Sequence, residues 1–263
     1  MEIFRFKKFE VRNERSAMKV NTDGVLLGAL MHIEGTERRL LDIGTGTGTI
    51  ALMAAQRLSE ASIGTADSNG FGTGDPIEGL TEGTTEKGFT IDAIDIDAPS
   101  AEEAAMNFAA SPWDTHLRAF NSALSDFRPT GEYDLIFSNP PFFTETLHSP
   151  SERKARSRHA DALPLEEIIS FAARHLSPDG RLALILPASR VKETEELATK
   201  AGLHTLYITE IHGSDRKPAY RAIMEISRRV GQNREPLRER VTINMNGKYS
   251  EQYLNIVSNF LLL

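Results

Sequence analysis

Near the middle of the chain an apolar run, YDLIFS, leads into Asn139-Pro140-Pro141-Phe142. Two prolines remove two N–H donors and stiffen the turn, leaving carbonyl oxygens free to accept. The Asn139 amide oxygen and the Pro140 carbonyl can each take one N–H of a planar amine, and Phe142 can stack on the ring that carries it. An exocyclic amine is a poor nucleophile because its lone pair is delocalised into the ring. Held pyramidal and aimed at a methyl donor, it needs no strong side-chain base, since the proton leaves after charge develops on nitrogen. The bland alternative is a proline turn that merely ends a strand.

Upstream, LLDIGTGTGTIALMAA places Asp42, then Gly44, Gly46 and Gly48, between a strand and a helix that opens at Thr49. Glycines permit positive φ and let backbone N–H groups approach a ligand with no Cβ in the way. A dinucleotide fingerprint needs its third glycine three residues after the second, where this chain has Thr49. The G-x-G-x-G spacing favours S-adenosylmethionine over NAD; otherwise it is a plain Gly-rich turn. In AIDID, Asp95 falls at the carboxyl end of the next strand, where a carboxylate accepts both hydroxyls of a ribose. Asp97 could share that task, and either acid could instead cap the helix that begins near Pro99.

Such groups must be positioned by a scaffold. From Arg39 onward the runs LLDIG, FTIDAIDID, HLRAF, YDLIFSNPP and GRLALILPA read as strands, near-continuously apolar as buried parallel strands are. They alternate with helical spacing at 49–58, 99–110, 165–176 and 191–201, the signature of a parallel sheet wrapped by helices. Asp179-Gly180 reads as the turn before one strand. Residues 203–211 and 220–228 have no helix-sized gap between them, so an antiparallel hairpin at the sheet edge is expected. A short helix around 22–32 precedes the first strand. Residues 59–88, rich in Gly, Thr and acids, read as a flexible insertion, either a surface loop or a lid.

The chain has 263 residues, 40% of them apolar, enough for one large domain. Thirty basic against 37 acidic side chains give a net charge of −7, which excludes a generally basic nucleic-acid coating protein. With no cysteine there is no disulfide, no Cys-ligated zinc or iron–sulfur cluster and no cysteine nucleophile. Histidines such as His32, His116 and His175 show no metal-ligand spacing, so no metal is expected. No apolar run approaches a membrane span, and the N-terminus lacks the apolar core of a signal peptide. A soluble, cytoplasmic protein is the expectation.

Together the motifs resemble class I methyltransferases of the amino-group type. FKKFEVRNERSAMKVNTDGVLLGA, the Ser111-Pro112-Trp113 string and NPPFF are further similar to the bacterial tRNA adenine-N6 methyltransferase family that modifies tRNA1(Val) beside the anticodon. The resemblance spans essentially the whole chain outside residues 59–88. It implies an α/β, Rossmann-like class I methyltransferase fold, with a mostly parallel seven-stranded sheet and a C-terminal antiparallel hairpin. It implies one domain over 1–263, with residues 1–35 packing on it, and a monomer that binds S-adenosyl-L-methionine and tRNA. The implied catalytic set is Asn139, Pro140, Pro141 and Phe142. The implied cofactor set is Lys19, Thr22, Asp42, Gly44, Gly46, Gly48, Asp95, Ile96, Ser122, Ala123 and Asn139. Lys19, Asn21, Thr22 and Asp23 would lie near the methionine end of the cofactor or the catalytic pocket; as residues, Asn21 to Asp23 equally suit a helix cap. After the third strand, where related enzymes often hold the cofactor adenine with an acid, this chain has Phe120-Asn121-Ser122-Ala123-Leu124. Asn121 or Ser122 and backbone groups are left for that task.

Three stretches are candidates for RNA. Arg153, Lys154, Arg156 and Arg158 follow the catalytic turn closely and either hold phosphates or form a solvated loop. Lys8 and Arg15, with Arg5, Lys7 and Arg12, interleave with Phe4, Phe6 and Phe9, which serve either as core or as stacking partners for bases. HGSDRKPAYR, with Arg216, Lys217 and Arg221, is the weakest of the three. Rival readings are a glutamine-N5 protein methyltransferase, an rRNA guanine-N2 methyltransferase, and a non-catalytic cofactor- or RNA-binding module.

Overall fold

A computed structural model describes residues 2–66, 88–141, 163–230 and 235–262. The chain opens with a small antiparallel hairpin, β1 (Ile3–Arg5) and β2 (Glu10–Arg12), followed by α1 (Thr22–Leu30). Strands and helices then alternate through β3 (Arg39–Ile43), α2 (Thr49–Ala66), β4 (Thr90–Asp95), α3 (Ala98–Ala109), β5 (Leu117–Asn121) and β6 (Tyr133–Ser138). After α4 (Leu165–His175), β7 (Leu176–Pro187) and α5 (Val191–Lys200) come β8 (His204–Ser214), β9 (Ala219–Ser227), β10 (Leu237–Met245), β11 (Lys248–Tyr249) and α6 (Glu251–Val257).

β3 to β11 form one sheet in the order β11-β10-β8-β9-β7-β6-β3-β4-β5. From β5 to β7 the strands are parallel, and β9 runs antiparallel to both β7 and β8. The chain builds outward from β3 to β5, then returns to β6 on the other side of β3. The resulting switch point opens a crevice at the carboxyl ends of β3 and β6, the place where open α/β sheets bind ligands. Side chains alternate between two cores. Leu40, Leu135 and Ile185 pack with α1, α2, α3 and α6, while Leu41, Ile136 and Leu184 pack with α4 and α5. Burial on both faces is why these strands read as unbroken apolar runs.

The sheet has nine strands where seven were expected, because β10 and β11 extend it, and the fold differs from expectation in three local respects. The β8–β9 hairpin forms, but it is not the sheet edge, because β10 adds in parallel to β8 and β11 lies beyond it. α2 runs to Ala66, so residues 59–66 of the expected insertion are helical. Glu60, in this added stretch, accepts hydrogen bonds from Gln56 and Lys8. Finally, Asp179-Gly180 does not precede a strand but sits inside β7, where the register against β6 jumps between the Tyr133–Leu176 and Leu135–Arg181 pairs. Glycine is required there because a Cβ would stand 2.6 Å from the Tyr133 carbonyl.

The phenylalanines of the first segment belong to the core. Phe6 stacks on Phe9 with ring centroids 4.4 Å apart, and Phe9 meets Trp113 edge-on at 5.8 Å. This segment is tied to the far end of the chain by the Lys7 N–H donating to the Phe260 carbonyl.

Candidate active site

Strand register brings the motifs together. Ile43 pairs with Ile94 on one side and with Ser138 on the other, while Asp95 pairs with Asn121. Four strands therefore end level, and Gly44, Asp95, Asn121 and Asn139 emerge along one lip. The level is held by the Gly44 and Thr45 N–H groups donating to the Ile94 carbonyl at 2.9 and 3.0 Å, and by the Ser138 hydroxyl donating to the Ile43 carbonyl at 2.7 Å.

The glycine loop needs its glycines for two reasons. Gly44, Gly46 and Gly48 all have positive φ, at 70°, 56° and 80°. At Gly48 a Cβ would also stand 2.5 Å from the Phe108 ring, whereas the Cβ direction at Gly44 is open for 4 Å. Gly46 is covered by the N-terminal segment, its missing Cβ facing the Met18 carbonyl at 3.1 Å. That segment is anchored by buried Glu103 of α3, whose carboxylate accepts the backbone N–H groups of Glu14, Arg15 and Ser16 at 2.8 to 2.9 Å.

The two acids after β4 divide their tasks. Asp97 caps α3, accepting the Ser100 N–H at 3.0 Å and the Ser100 hydroxyl at 2.7 Å. Asp95 faces the loop instead, accepting the Gly46 N–H at 2.9 Å and the Asp97 N–H at 2.9 Å. Burial pushes its pKa above the usual carboxylate range, opposed by those two hydrogen bonds. Asp42 is fully buried behind the loop and accepts the Thr45 hydroxyl at 2.7 Å. Desolvation pushes its carboxyl up to about 7, with the charge of Asp95 adding to the rise and the Thr45 hydrogen bond opposing it.

Asn139, only 8% exposed, faces the N-terminus of α1. Its Nδ2 lies 3.5 Å from the Asn21 Oδ1 and 3.6 Å from the Met18 Sδ. Asn21 is the N-cap of α1, its Oδ1 accepting the Gly24 N–H at 2.8 Å. The cap reading of Asn21 therefore holds, and the same oxygen also turns the Asn139 amide so that its nitrogen points to α1 and its own oxygen away. Nothing in the sequence joins these two residues, which stand 118 positions apart. Asp23, in the first turn of α1, is paired with Arg221 of β9 at 2.7 Å.

Other expected site residues are less central. Lys19 has its ammonium on the Glu2 carboxylate and the Asn13 carbonyl, and Thr22 is exposed at the start of α1. Ile96 is 60% exposed beside Asp95. The Ser122 N–H donates to the Asp95 carbonyl and its hydroxyl to the Ala123 carbonyl, while the Asn121 side chain donates to the Asp95 and Ile96 carbonyls. Pro140 is buried and Pro141 half-buried. Lys8 pairs with Glu60 and Arg15 with Glu102. Phe142, Arg153, Lys154, Arg156 and Arg158 lie outside the described residues. Among the described residues no group of three acids or histidines is placed to hold a metal ion, and no helix is long and apolar enough to cross a membrane.

These residues suit S-adenosylmethionine. A carboxylate for a diol, an exposed apolar Ile96 beside it for a purine face, and a glycine loop with open space at Gly44 line the same crevice.

The model of the methyltransferase small domain matches residues 69–207. A tRNA1(Val) (adenine(37)-N6)-methyltransferase of Flavobacterium psychrophilum is 34% identical over 264 aligned residues, covering 99% of each chain. The chain belongs to this methyltransferase family. Among solved structures, its fold is similar to a predicted O-methyltransferase from Agrobacterium tumefaciens, with a TM-score of 0.57 at 15% identity, over 90% of this chain and 96% of the other. It is also similar to the 16S rRNA N2 G1207 methyltransferase of T. thermophilus in complex with AdoMet and guanosine, with a TM-score of 0.51 at 19% identity, over 87% of this chain and 50% of the other. The chain is a class I methyltransferase, and its methyl donor is S-adenosyl-L-methionine.

Proposed function

We propose that this methyltransferase modifies the exocyclic N6 amine of an adenine in tRNA, namely adenine 37 of tRNA1(Val), the target that its relative's name carries. The observation that carries the reading is Asn139 at the switch point, beside the glycine loop, with its amide nitrogen turned to Asn21. Its oxygen and the Pro140 carbonyl are then left to accept the two N–H bonds of the target amine. Pro140 and Pro141 hold the turn rigid, and Phe142, next in sequence, stacks on the flipped base. Asp95 takes the ribose hydroxyls, and Ile96, Ser122 and Ala123 line the adenine end of the cofactor. Thr22 and Lys19 border its methionine end.

When bound, S-adenosylmethionine supplies an electrophilic methyl group on a sulfonium. The acceptors at Asn139 and Pro140 fix the amine in line with that methyl, and their hydrogen bonds strengthen as nitrogen gains positive charge, so they favour the transition state over the ground state. The proton then passes from nitrogen to solvent, with no buried base required. The enzyme acts as a monomer in the cytoplasm, and Arg153, Lys154, Arg156 and Arg158, which follow the catalytic turn in sequence, hold tRNA phosphates.

Labelled methyl donor offered with unmodified tRNA, rRNA or a release factor tests this reading. Label is expected in tRNA. Label confined to rRNA or to protein glutamine would support one of the two enzymatic rivals. Cofactor binding without transfer to any of the three would support a binding module.

A further inference from the structure

The carboxyl end of the sheet carries more than the crevice. Pairing of Pro187 with Arg221, His212 with Ala219 and Ser214 with Asn244 places the tip of the β8–β9 hairpin and the tip of the β10–β11 hairpin on the same end of the sheet as Asn139. The second tip is the Asn246-Gly247 turn, both residues at positive φ, as a tight two-residue hairpin requires. The tips are braced to each other by the Asn244 side chain donating to the Gly213 carbonyl, and the first is braced internally by His212 against the Lys217 carbonyl at 2.8 Å.

The two tips themselves carry the exposed cations Arg216, Lys217 and Lys248, none with an acidic partner among the described residues, and exposed Arg240 of β10 reaches the Asp215 carbonyl of the first tip. Most cations of the N-terminal segment differ: Arg5, Lys8, Arg15 and Lys19 are each held by a glutamate, while Lys7 reaches the Ser258 carbonyl and Arg12 the Met106 sulfur. Two exposed aromatic side chains accompany the tips, Tyr220 of β9 at 37% exposure and Tyr249 of β11 at 55%. The Arg221 guanidinium lies 5.3 Å from the Tyr220 ring centroid. Through Asp23 and α1 it connects to Asn21 and so to Asn139. Unpaired cations around exposed rings, on a chain of net charge −7, match a single-stranded polyanion whose bases can stack.

We propose that these hairpin tips are a docking surface for the RNA strand flanking the target adenine. Arg216, Lys217 and Lys248 hold its phosphates, and Tyr220 stacks on a neighbouring base. The proposal rests on the tRNA reading given above and names residues other than Arg153, Lys154, Arg156 and Arg158.

Anisotropy of a labelled anticodon stem-loop RNA, titrated with the whole protein at several salt concentrations, tests it. Replacing Arg216, Lys217 and Lys248 together by Ala should weaken binding at least tenfold and lower the slope of log affinity against log salt by about 2, from roughly 0.7 per phosphate. Tyr220→Ala should weaken stem-loop binding about tenfold and leave a blunt RNA duplex unaffected, whereas Tyr220→Phe should bind as the native chain does. Calorimetry with S-adenosylmethionine should give native affinity for every variant, which establishes that each is folded. Native RNA affinity and salt slope in both the triple variant and Tyr220→Ala would overturn the proposal. Because binding is read without turnover, a chain that binds RNA through its tips but methylates none would overturn the function and leave this surface standing. A chain that methylates tRNA while all these variants bind normally would overturn the surface alone.

Discussion

Asn139 depends on the direction of its amide. The Asn21 oxygen at 3.5 Å receives the nitrogen end, which in the proposed function leaves the oxygen end for the substrate. Asn139→Ala should slow single-turnover methyl transfer by roughly 10²–10³ while cofactor affinity stays near native, the loss typical of a preorganised hydrogen-bonding group. Asn139→Asp keeps an acceptor and should be slowed less than Ala. Asp95→Ala should lose roughly 1.5–3 kcal/mol of S-adenosylmethionine affinity by calorimetry, the scale of hydrogen bonds to a charged group; unchanged affinity would remove Asp95 from the ribose. Asp42 makes a statement about pH. Its carboxyl titrates at about 7 when folded and near 3.8 when unfolded, so between those values the folded chain holds a proton that the unfolded chain has lost. Stability therefore falls as pH rises across that window. Asp42→Asn abolishes this contribution, and the gap in urea midpoint between pH 5 and pH 7.5 should be smaller than in the native chain.

At the scale of elements, the glycine loop separates two demands that the sequence shows as one. Gly44→Ala meets only the backbone penalty of the left-handed region, about 1–2 kcal/mol, because the space beside it is open. Gly48→Ala meets that penalty and the Phe108 ring at 2.5 Å, so its thermal midpoint should fall further than that of Gly44→Ala. Equal midpoints would mean that α3 moves aside at no cost. The loop, Asp95 and the Asn139 turn were legible because each chemistry is local: glycines, an acid and prolines at the ends of apolar strands. What holds them was not. Glu103 gripping residues 14–16, and Asn21 touching Asn139, are contacts between distant segments with no spacing to betray them. Asp95 and Asp97 looked interchangeable until the helix start fixed Asp97 as the cap. The β10–β11 hairpin did carry a local sign, Asn246-Gly247, but the charged opening of β10, Leu237-Arg238-Glu239-Arg240, hid the strand beside it.

Over the whole molecule, the cofactor crevice and the RNA surface proposed above both lie at the carboxyl end of one sheet. The β3 to β5 half carries the glycine loop and Asp95, the β8 to β11 half carries the exposed cations and tyrosines, and Asn139 stands at the switch point nearest both. A net charge of −7 makes RNA recognition a matter of local positive surface rather than bulk attraction, so tRNA binding should weaken steeply with salt. The central claim is that the amine held at Asn139 is the N6 of adenine 37 in tRNA1(Val). Mass spectrometry of nuclease fragments from tRNA lacking the modification, incubated with this enzyme and S-adenosylmethionine, tests it most directly. The account expects N6-methyladenosine in the fragment that contains adenine 37, formed at least about 100-fold more slowly by Asn139→Ala. Methylation of a guanine amine instead, no methylated tRNA fragment at all, or a native rate from Asn139→Ala would contradict it.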